Sequence, residues 1–490
     1  MVSLSFFGGV NEIGGNKILL EDNGTRVFLD FGLSFRIRDK YYDEYLQARS
    51  FDTIDEYVRF GELPAIKGLY REDHLRHADP KHELLGKAGE KAADAVIITH
   101  GHMDHIGLIP YLRRDIRLMG SELTKRYIQF LEKSKDGLDR EYLHWYQDFE
   151  LKPGKKTKES RSSKRRQNRD YTIVEPKRPQ TIGDLEIVGY PVDHSLQGAF
   201  AYIIKTSSGN IAYTGDLRFH GLFQKESNEY LDALKANDIK VLLCEGTHID
   251  KDTEITEAAL QKKLAAVIDR TKGLVLANYS HFDASRVFTL AKAASASGRR
   301  LLVNPKQAYY LSLLKGEPRA QLPSEDEVDV LMPRMRLGVW GDSRFDMEVQ
   351  KNDYDWRFKD TIFERSDLLA AQDVVNAPED YLVTCSFYEL NLLHDLRPPE
   401  GSTYLWSRSM PFDEEGTLDE TRVLNWLARF GIGKPVQLHC SGHMPGKDIR
   451  TLVDAAQPEI LVPIHTNEPK LFKKFHENVK LMSYGDVLQI

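Results

Sequence analysis

Cysteine is scarce in this chain: Cys244, Cys385 and Cys440 are its three cysteines among 490 residues, and they form no CxxC pair. This scarcity argues against a disulfide framework and against a structural zinc site built from cysteines. No apolar run approaches the length of a membrane span, and the segment Met1–Phe6 has no basic region ahead of an apolar core. We therefore expect a soluble, cytoplasmic protein without a membrane segment.

Positive charge is also in short supply, because the net charge of the chain is −7. It is concentrated in residues 152–169, which hold nine Lys or Arg and one Glu. This segment has no apolar periodicity, so a flexible loop is predicted there. Two interpretations stay open: a solvated insertion, or an arm that seeks phosphates and makes binding depend on salt.

The length of 490 residues predicts two or three domains. Strand patterns dominate the first part of the chain, with a hairpin at Asn23-Gly24. From about residue 240 onward, strands such as Leu274–Ala277 alternate with helices such as Ala284–Ser297, which predicts a parallel sheet with covering helices. Residues 33–90 are charged and rich in tyrosine. We interpret their aromatic residues as the core of a small helical insertion rather than as a base-stacking platform.

A cluster of imidazoles follows the apolar run Ala95–Ile98. His100, His102 and His105 lie there within six residues, together with Asp104. Neutral imidazole and carboxylate are the usual zinc ligands of catalytic sites, and this spacing suits two adjacent ions. The alternatives are a chance surface cluster or a structural metal site, but a structural site is normally closed by cysteine and none lies nearby.

Three more residues of ligand type follow predicted strands: His194, Asp216 and His465. One metal ion is then predicted to be held by His100, His102 and His194, and the other by Asp104, His105 and His465, with Asp216 bridging both. Zinc fits these ligands, and manganese is the alternative. Two adjacent divalent ions generate hydroxide near neutral pH and stabilise charge on a phosphate, so the predicted reaction class is metal-assisted hydrolysis.

The ordered set of these motifs resembles the metallo-β-lactamase superfamily, and the second half of the chain narrows the match to its β-CASP nucleases, in the ribonuclease J-like, RNA-processing branch. The resemblance rests on HxHxDH at residues 100–105, on Thr214-Gly215-Asp216, and on three later motifs: Glu245 (motif A), His443 (motif B) and His465 (motif C). It implies an α/β fold, an αββα sandwich with an inserted β-CASP domain of parallel-sheet α/β type. The implied division is 1–244 for the first part of the sandwich, 245–434 for the inserted domain and 435–490 for the return into the sandwich.

The resemblance also implies roles for individual residues. His443 is the general acid for the leaving oxygen, supported by Glu245, and Asp104 belongs to both the catalytic and the metal-binding set. Asp30 orients the metal ligands. Phosphate or RNA contacts are expected from a loop before a helix and from a second helix start, namely His439, Ser441, Gly442, Ser280 and Arg286; an ordinary glycine turn is the alternative for the first loop.

Three functions remain in competition. The first is a two-metal ribonuclease acting on single-stranded RNA as an exo- or endonuclease, the second a DNA-directed β-CASP nuclease, and the third a non-catalytic RNA-binding subunit. Histidine in motif C is typical of the RNA-directed branch, and every expected ligand position is filled. Ribonuclease J-like proteins usually continue past motif C into a domain that aids dimerisation, whereas 25 residues follow His465. The cleavage mode is therefore left open, and a homodimer is compatible with the resemblance.

Overall fold

The computed structural model describes residues 1–43, 45–49, 53–75, 83–84, 90–134, 138–146, 149–151, 159–161, 166–335, 338, 340, 349–409 and 414–490. Most of the basic segment 152–169 lies outside these ranges, and for those residues the predicted loop stays a prediction. Its described residues Glu159–Arg161 and Arg166–Asn168 form short paired strands and not the predicted loop. Among the described residues, no helix has both the length and the apolar composition needed to cross a membrane.

Two sheets form a sandwich. The strands of the first sheet are, in spatial order, Tyr171–Ile173, Arg117–Gly120, Ala95–Ile97, Thr25–Leu29, Ile18–Asp22, Val2–Phe6 and Val487–Gln489. Those of the second are Pro179–Ile182, Leu185–Pro191, Phe200–Thr206, Gly209–Tyr213, Ile239–Glu245 and Ile460–Ile464. Both sheets mix parallel and antiparallel pairs.

Alternate side chains of these strands are buried, which explains why the two sheets pack face to face. Along Val2–Phe6, every second side chain is buried, as expected for a strand with one core face. The predicted hairpin at Asn23-Gly24 is present, with φ of 48° and 86° at the two residues, a conformation that asparagine and glycine tolerate. The core between the sheets is built from alternate strand residues such as Leu4, Val27 and Leu243.

Helices cover the outer faces of the sandwich. The second sheet is covered by Gln224–Ala236 and Gly446–Ala456, which share a buried apolar cluster with it. The remaining α-helices of the described residues before the inserted domain are Phe35–Tyr41, Thr53–Phe60, Glu72–Leu75, Met103–Ile106 and Glu122–Ser134. Short 3₁₀ turns span Ile109–Tyr111, Leu138–Arg140 and Pro469–Lys474, and two small ladders pair His144–Tyr146 with Arg166–Asn168 and Phe149–Leu151 with Glu159–Arg161.

A third sheet forms the inserted domain, and all its strand pairs are parallel. Its strands, in spatial order, are Leu368–Leu369, Val328–Leu331, Arg300–Val303, Tyr381–Thr384, Val275–Asn278, Thr403–Trp406 and Val436–Gln437. The helices are Glu257–Arg270, Ala284–Ser295, Pro305–Leu314, Lys359–Phe363, Ala371–Asn376, Leu392–Leu396 and Glu414–Arg429, with 3₁₀ turns at Glu325–Glu327, Lys351–Asp353, Pro378–Asp380 and Phe387–Glu389. Apolar clusters cover both faces of this sheet, as parallel sheets require. The predicted α/β class with a parallel-sheet insertion is confirmed.

Two details differ from the sequence expectation. The last strand of the third sheet, Val436–Gln437, pairs with Thr403–Trp406, so this sheet extends past the predicted return point at residue 435. Within the segment 33–90, Tyr57 and Tyr70 are buried and Tyr41 stacks on Phe60 at 4.4 Å, as expected of a small core, whereas Tyr45 is 89% exposed.

Candidate metal centre

The predicted ligands lie at the carboxyl ends of strands from both sheets, at one edge of the sandwich. They follow the strands Ala95–Ile97, Leu185–Pro191, Gly209–Tyr213 and Ile460–Ile464. The short helix Met103–Ile106 carries Asp104 and His105, with His102 at its N-cap. Because strand ends of the two packed sheets meet at this edge, side chains far apart in the sequence come together there.

The first predicted ligand set is assembled. Nδ1 of His102 lies 2.9 Å from Nε2 of His100 and 3.1 Å from Nε2 of His194. Oδ2 of Asp216 lies 3.7 Å from Nε2 of His100 and 3.9 Å from Nε2 of His194. One ligand atom from each of the four residues lies within 4.8 Å of all the others, which is the spacing of donors around a common ion.

The second set shares Asp216 with the first. Oδ2 of Asp216 lies 3.2 Å from Nε2 of His105 and 3.6 Å from Nε2 of His465. Oδ2 of Asp104 lies 3.1 Å from Nε2 of His465 and 3.8 Å from Nε2 of His105. These four residues also form a compact group. Asp216 therefore stands between both sets, where the sequence predicts a bridging ligand.

Unpaired atoms support a cation at this place. Nε2 of His105 and Oδ1 of Asp216 are buried without a hydrogen-bond partner, which is costly unless a bound group satisfies them. The donor set of imidazoles and carboxylates is the chemistry of a divalent metal site. The residues present thus fit a divalent metal ion.

The electrostatics of the cluster point the same way. Burial lowers the pKa of His100 and His194, and it lowers the pKa of His102 to about 4, so these imidazoles stay neutral, as metal ligands must be. Burial would raise the pKa of Asp216, but the imidazoles of His465 and His105 lower it, and the carboxylate stays ionised.

Asp30 contacts one predicted ligand, His105, and also Thr99, the residue before a second predicted ligand, His100. Its Oδ2 accepts hydrogen bonds from Nδ1 of His105 at 2.7 Å, from Oη of Tyr213 at 2.6 Å and from Oγ1 of Thr99 at 2.8 Å. Its Oδ1 accepts from the backbone N–H of Thr99 at 2.8 Å. This is the arrangement by which a buried carboxylate fixes the tautomer and orientation of a metal-binding imidazole.

Two further orienting contacts were missed by sequence reasoning. Oγ1 of Thr247 lies 2.8 Å from Nδ1 of His465, and the carbonyl oxygen of Gly442 lies 2.7 Å from Nδ1 of His194. Thr247 lies two residues after Glu245, the motif A acid, and this proximity is the one signal in the sequence for its contact with the site. Gly442 was expected to contact phosphate, and it is a backbone acceptor for a predicted metal ligand.

His443 and Glu245 form a pair beside the second ligand set. Oε2 of Glu245 lies 2.9 Å from Nδ1 of His443, while its Oε1 accepts from the backbone N–H of Leu217 at 2.9 Å. Burial would lower the pKa of His443, but the carboxylates of Glu245 and Asp216 raise it to about 9. Together with Asp216 and His465, the pair forms a third compact group of ligand-type atoms. The two carboxylates thus favour the protonated form of this imidazole.

Three of the residues predicted to contact phosphate differ in their exposure, namely Ser280, His439 and Ser441. Ser280 is exposed and follows the strand Val275–Asn278, and His439 is half-buried, with Nε2 3.2 Å from Oγ of Ser409. Ser441 is buried, and its Oγ accepts from the N–H of His443 at 3.2 Å. None of these positions tests the predicted phosphate contacts, which stay predictions.

Arg286 requires a correction. Its side chain is 1% exposed, and its guanidinium donates to both carboxylate oxygens of Glu257, at 3.1 and 3.3 Å. The same group also donates to Oγ of Ser407 at 2.5 Å and to the carbonyl oxygen of Cys440 at 3.1 Å. A guanidinium with these buried partners has no free face for a phosphate, so the expected phosphate contact is not supported.

A two-sheet sandwich with a His/Asp cluster at one edge and an inserted parallel-sheet domain defines the metallo-β-lactamase class of hydrolase fold. The model of the protein family described as "Beta-lactamase superfamily domain" matches residues 72–303 of the chain. The chain is 24% identical to ribonuclease J of Corynebacterium glutamicum over 94% of its own length, and 21% identical to ribonuclease J of Mycoplasma genitalium over 99%. These matches support an assignment of the chain to the metallo-β-lactamase superfamily and, within it, to ribonuclease J-like proteins of the β-CASP type.

The similarity has defined limits. The chain spans 52% of the length of the Corynebacterium glutamicum protein and 73% of that from Mycoplasma genitalium. A solved structure of a protein of unknown function from Enterococcus faecalis V583 superimposes with a TM-score of 0.71, covering 99% of both chains at 20% identity. That likeness concerns the fold alone.

Proposed function

We propose that this protein is a metal-dependent ribonuclease that hydrolyses phosphodiester bonds of single-stranded RNA. The observation that carries the proposal is the group of seven clustered His and Asp side chains with the His443–Glu245 pair beside it. The relatives named ribonuclease J support RNA as the substrate, because they match nearly the whole chain.

We further propose that two divalent ions bind here, with zinc favoured by the imidazole-rich donor set and manganese as the alternative. His100, His102 and His194 would hold one ion, Asp104, His105 and His465 the other, and Asp216 both. When bound, such ions supply hydroxide at neutral pH and stabilise negative charge on the phosphate.

The chain's own residues would complete the reaction. Nδ1 of His443 is engaged by Glu245, which leaves Nε2 of His443 to hold the proton that the leaving oxygen needs. Glu245 is itself fixed by Leu217 and by Oγ1 of Thr247, which donates to its Oε2 at 2.9 Å. The expected products are a 3′-hydroxyl and a 5′-phosphate. A cytoplasmic location and a homodimer stay predictions of the sequence.

The proposal is tested by incubating purified protein with end-labelled RNA and with a DNA strand of matched sequence. We expect cleavage of RNA in preference to DNA, and loss of that cleavage in His443→Ala and in His102→Ala with folding intact. RNA carrying a 5′-monophosphate, triphosphate or hydroxyl then separates the modes, because mononucleotides released from the monophosphate substrate alone indicate a 5′ exonuclease and internal fragments an endonuclease. Preferential cleavage of DNA, or full activity in His102→Ala, would overturn the proposal.

A further inference from the structure

Three successive backbone carbonyls before His443 are each held by a side chain from elsewhere in the fold. We call residues Cys440–His443 the motif B loop. Its carbonyl oxygens accept from Nη2 of Arg286 at 3.1 Å, from Nη1 of Arg218 at 2.9 Å and from Nδ1 of His194 at 2.7 Å, in the order Cys440, Ser441 and Gly442. A loop held at three of its four carbonyls has little freedom to move.

The two arginines belong to one buried charge network. Glu257 accepts from Arg286 at 3.1 Å and lies 3.7 Å from Nη1 of Arg218. Asp193, which precedes His194, accepts from Nε of Arg218 at 3.0 Å. All four side chains are about 1% exposed or less, and their two positive and two negative charges balance.

Close packing leaves this network little alternative geometry. A Cβ at Gly221 would lie 2.2 Å from Nε of Arg218 and 2.4 Å from Oδ2 of Asp193, so the glycine is needed for the approach of the chain to this ion pair. Charge-assisted hydrogen bonds of a planar guanidinium add directional precision to such a site.

The two arginines come from different parts of the molecule. Arg218 follows Asp216 in the sandwich, whereas Arg286 lies on the helix Ala284–Ser295 of the inserted domain. The motif B loop is therefore held from both domains at once, immediately before the imidazole that pairs with Glu245.

We propose that Arg286 is a positioning residue for the reaction: together with Arg218 and Glu257 it fixes the motif B loop, and through that loop it sets the place of the His443 imidazole. This inference rests on the proposed ribonuclease activity for its kinetic readout. It assigns to Arg286 a role that acts through the backbone and does not involve contact with the phosphate of RNA.

The test compares Arg286→Ala and Arg286→Lys with Arg299→Ala. Arg299 is the matched control, because it is a buried arginine of the inserted domain that donates to carbonyls outside the motif B loop, such as that of Gly273 at 2.9 Å. We expect kcat to fall about 10- to 100-fold in Arg286→Ala, as for other groups that orient a reactive side chain, with KM and RNA affinity unchanged and a smaller loss in Arg286→Lys. A phosphate contact would instead raise KM and lower the salt slope of RNA binding by about one, and that result would overturn the proposal.

Hydrogen exchange makes the test independent of the activity. The amides of the motif B loop should exchange about tenfold faster in Arg286→Ala than in the unchanged protein, since one charge-assisted hydrogen bond is lost there, and should not change in Arg299→Ala. Should the unchanged protein fail to cleave RNA, the proposed function would fall while this exchange result still decides the role of Arg286. Equal exchange in all three proteins, or loop exchange in Arg299→Ala as fast as in Arg286→Ala, would contradict the proposal.

Discussion

Replacing Asp30 by asparagine tests how far the outer hydrogen bonds support the metal centre. Asp30 has a φ of 56°, which asparagine adopts readily, so Asp30→Asn changes the carboxylate and spares the backbone. The single oxygen of the amide cannot serve all four donors that the carboxylate now accepts from His105, Tyr213 and Thr99. In either amide orientation, the new NH₂ group faces an N–H of His105 or of Thr99.

The size of the effect follows from this mismatch. A buried donor left without its acceptor costs about 1–3 kcal/mol, and substitutions of this kind weaken metal binding by about 10- to 100-fold. At about 1.4 kcal/mol for each factor of ten, the two figures agree. We therefore expect Asp30→Asn to lower the affinity for the ion that His105 is proposed to hold by about 10- to 100-fold.

Metal affinity is measured by competition with a chromophoric chelator, and folding by circular dichroism. Asp94→Asn is the control, since Asp94 also accepts a backbone N–H, that of Arg26 at 2.9 Å, but at the opposite end of the neighbouring strand. Equal affinity of Asp30→Asn and the unchanged protein, with folding intact, would refute the orienting role of Asp30.

Three further substitutions or deletions follow from the same geometry. Thr247→Val removes the 2.8 Å contact to Nδ1 of His465 and should weaken metal binding by about 10-fold or more, measured by the same competition; an unchanged affinity would show that Thr247 is dispensable. Gly442→Ala places a Cβ 3.0 Å from Cε1 of His194 and from Oγ of Ser195, so His194 must shift, and we expect a lower metal content after dialysis; full occupancy would contradict this. Deleting residues 152–169, which hold nine Lys or Arg, should weaken RNA binding and flatten its salt dependence, and an unchanged salt slope in a filter-binding assay would exclude contact between this segment and RNA.

The clustering of the predicted ligands could be predicted from the sequence because its physical signal is local. Four of the predicted ligands follow an apolar strand within three residues, and the other three belong to the HxHxDH motif after the strand Ala95–Ile97. The ends of the packed strands meet at a common edge. The hairpin at Asn23-Gly24 and the parallel sheet of the inserted domain were predictable for the same reason. Their patterns extend over a few residues and do not depend on distant partners.

Long-range partners could not be predicted in this way. Arg286 stands at a helix start after a strand, a position that suggested a phosphate contact, and its pairing with Glu257, Arg218 and the motif B loop depends on the packing of two domains. The contact between Thr247 and His465 joins residues 218 positions apart. The edge strand Val487–Gln489 and the late strand Val436–Gln437 also owe their places to tertiary pairing.

The motif B loop contacts both domains, so the position of His443 depends on how the two domains pack together. The sandwich carries the proposed metal ligands, while the loop that bears His443 is held by Arg286 of the inserted domain. Any change that separates the two domains should therefore displace His443 and also loosen His194, whose Nδ1 contacts the carbonyl oxygen of Gly442 in the same loop. Loss of cleavage together with a lower metal content is the expected signature of such variants.

The most direct measurement of the central claim is a titration of zinc into metal-free protein, with bound metal and RNA cleavage followed together. We expect cleavage to rise with bound metal and to reach its maximum at about two ions per chain, and His102→Ala to bind fewer ions and to stay inactive. Full cleavage by the metal-free protein, or unchanged binding and cleavage in His102→Ala, would contradict the assignment of this cluster as the site of metal-dependent RNA hydrolysis.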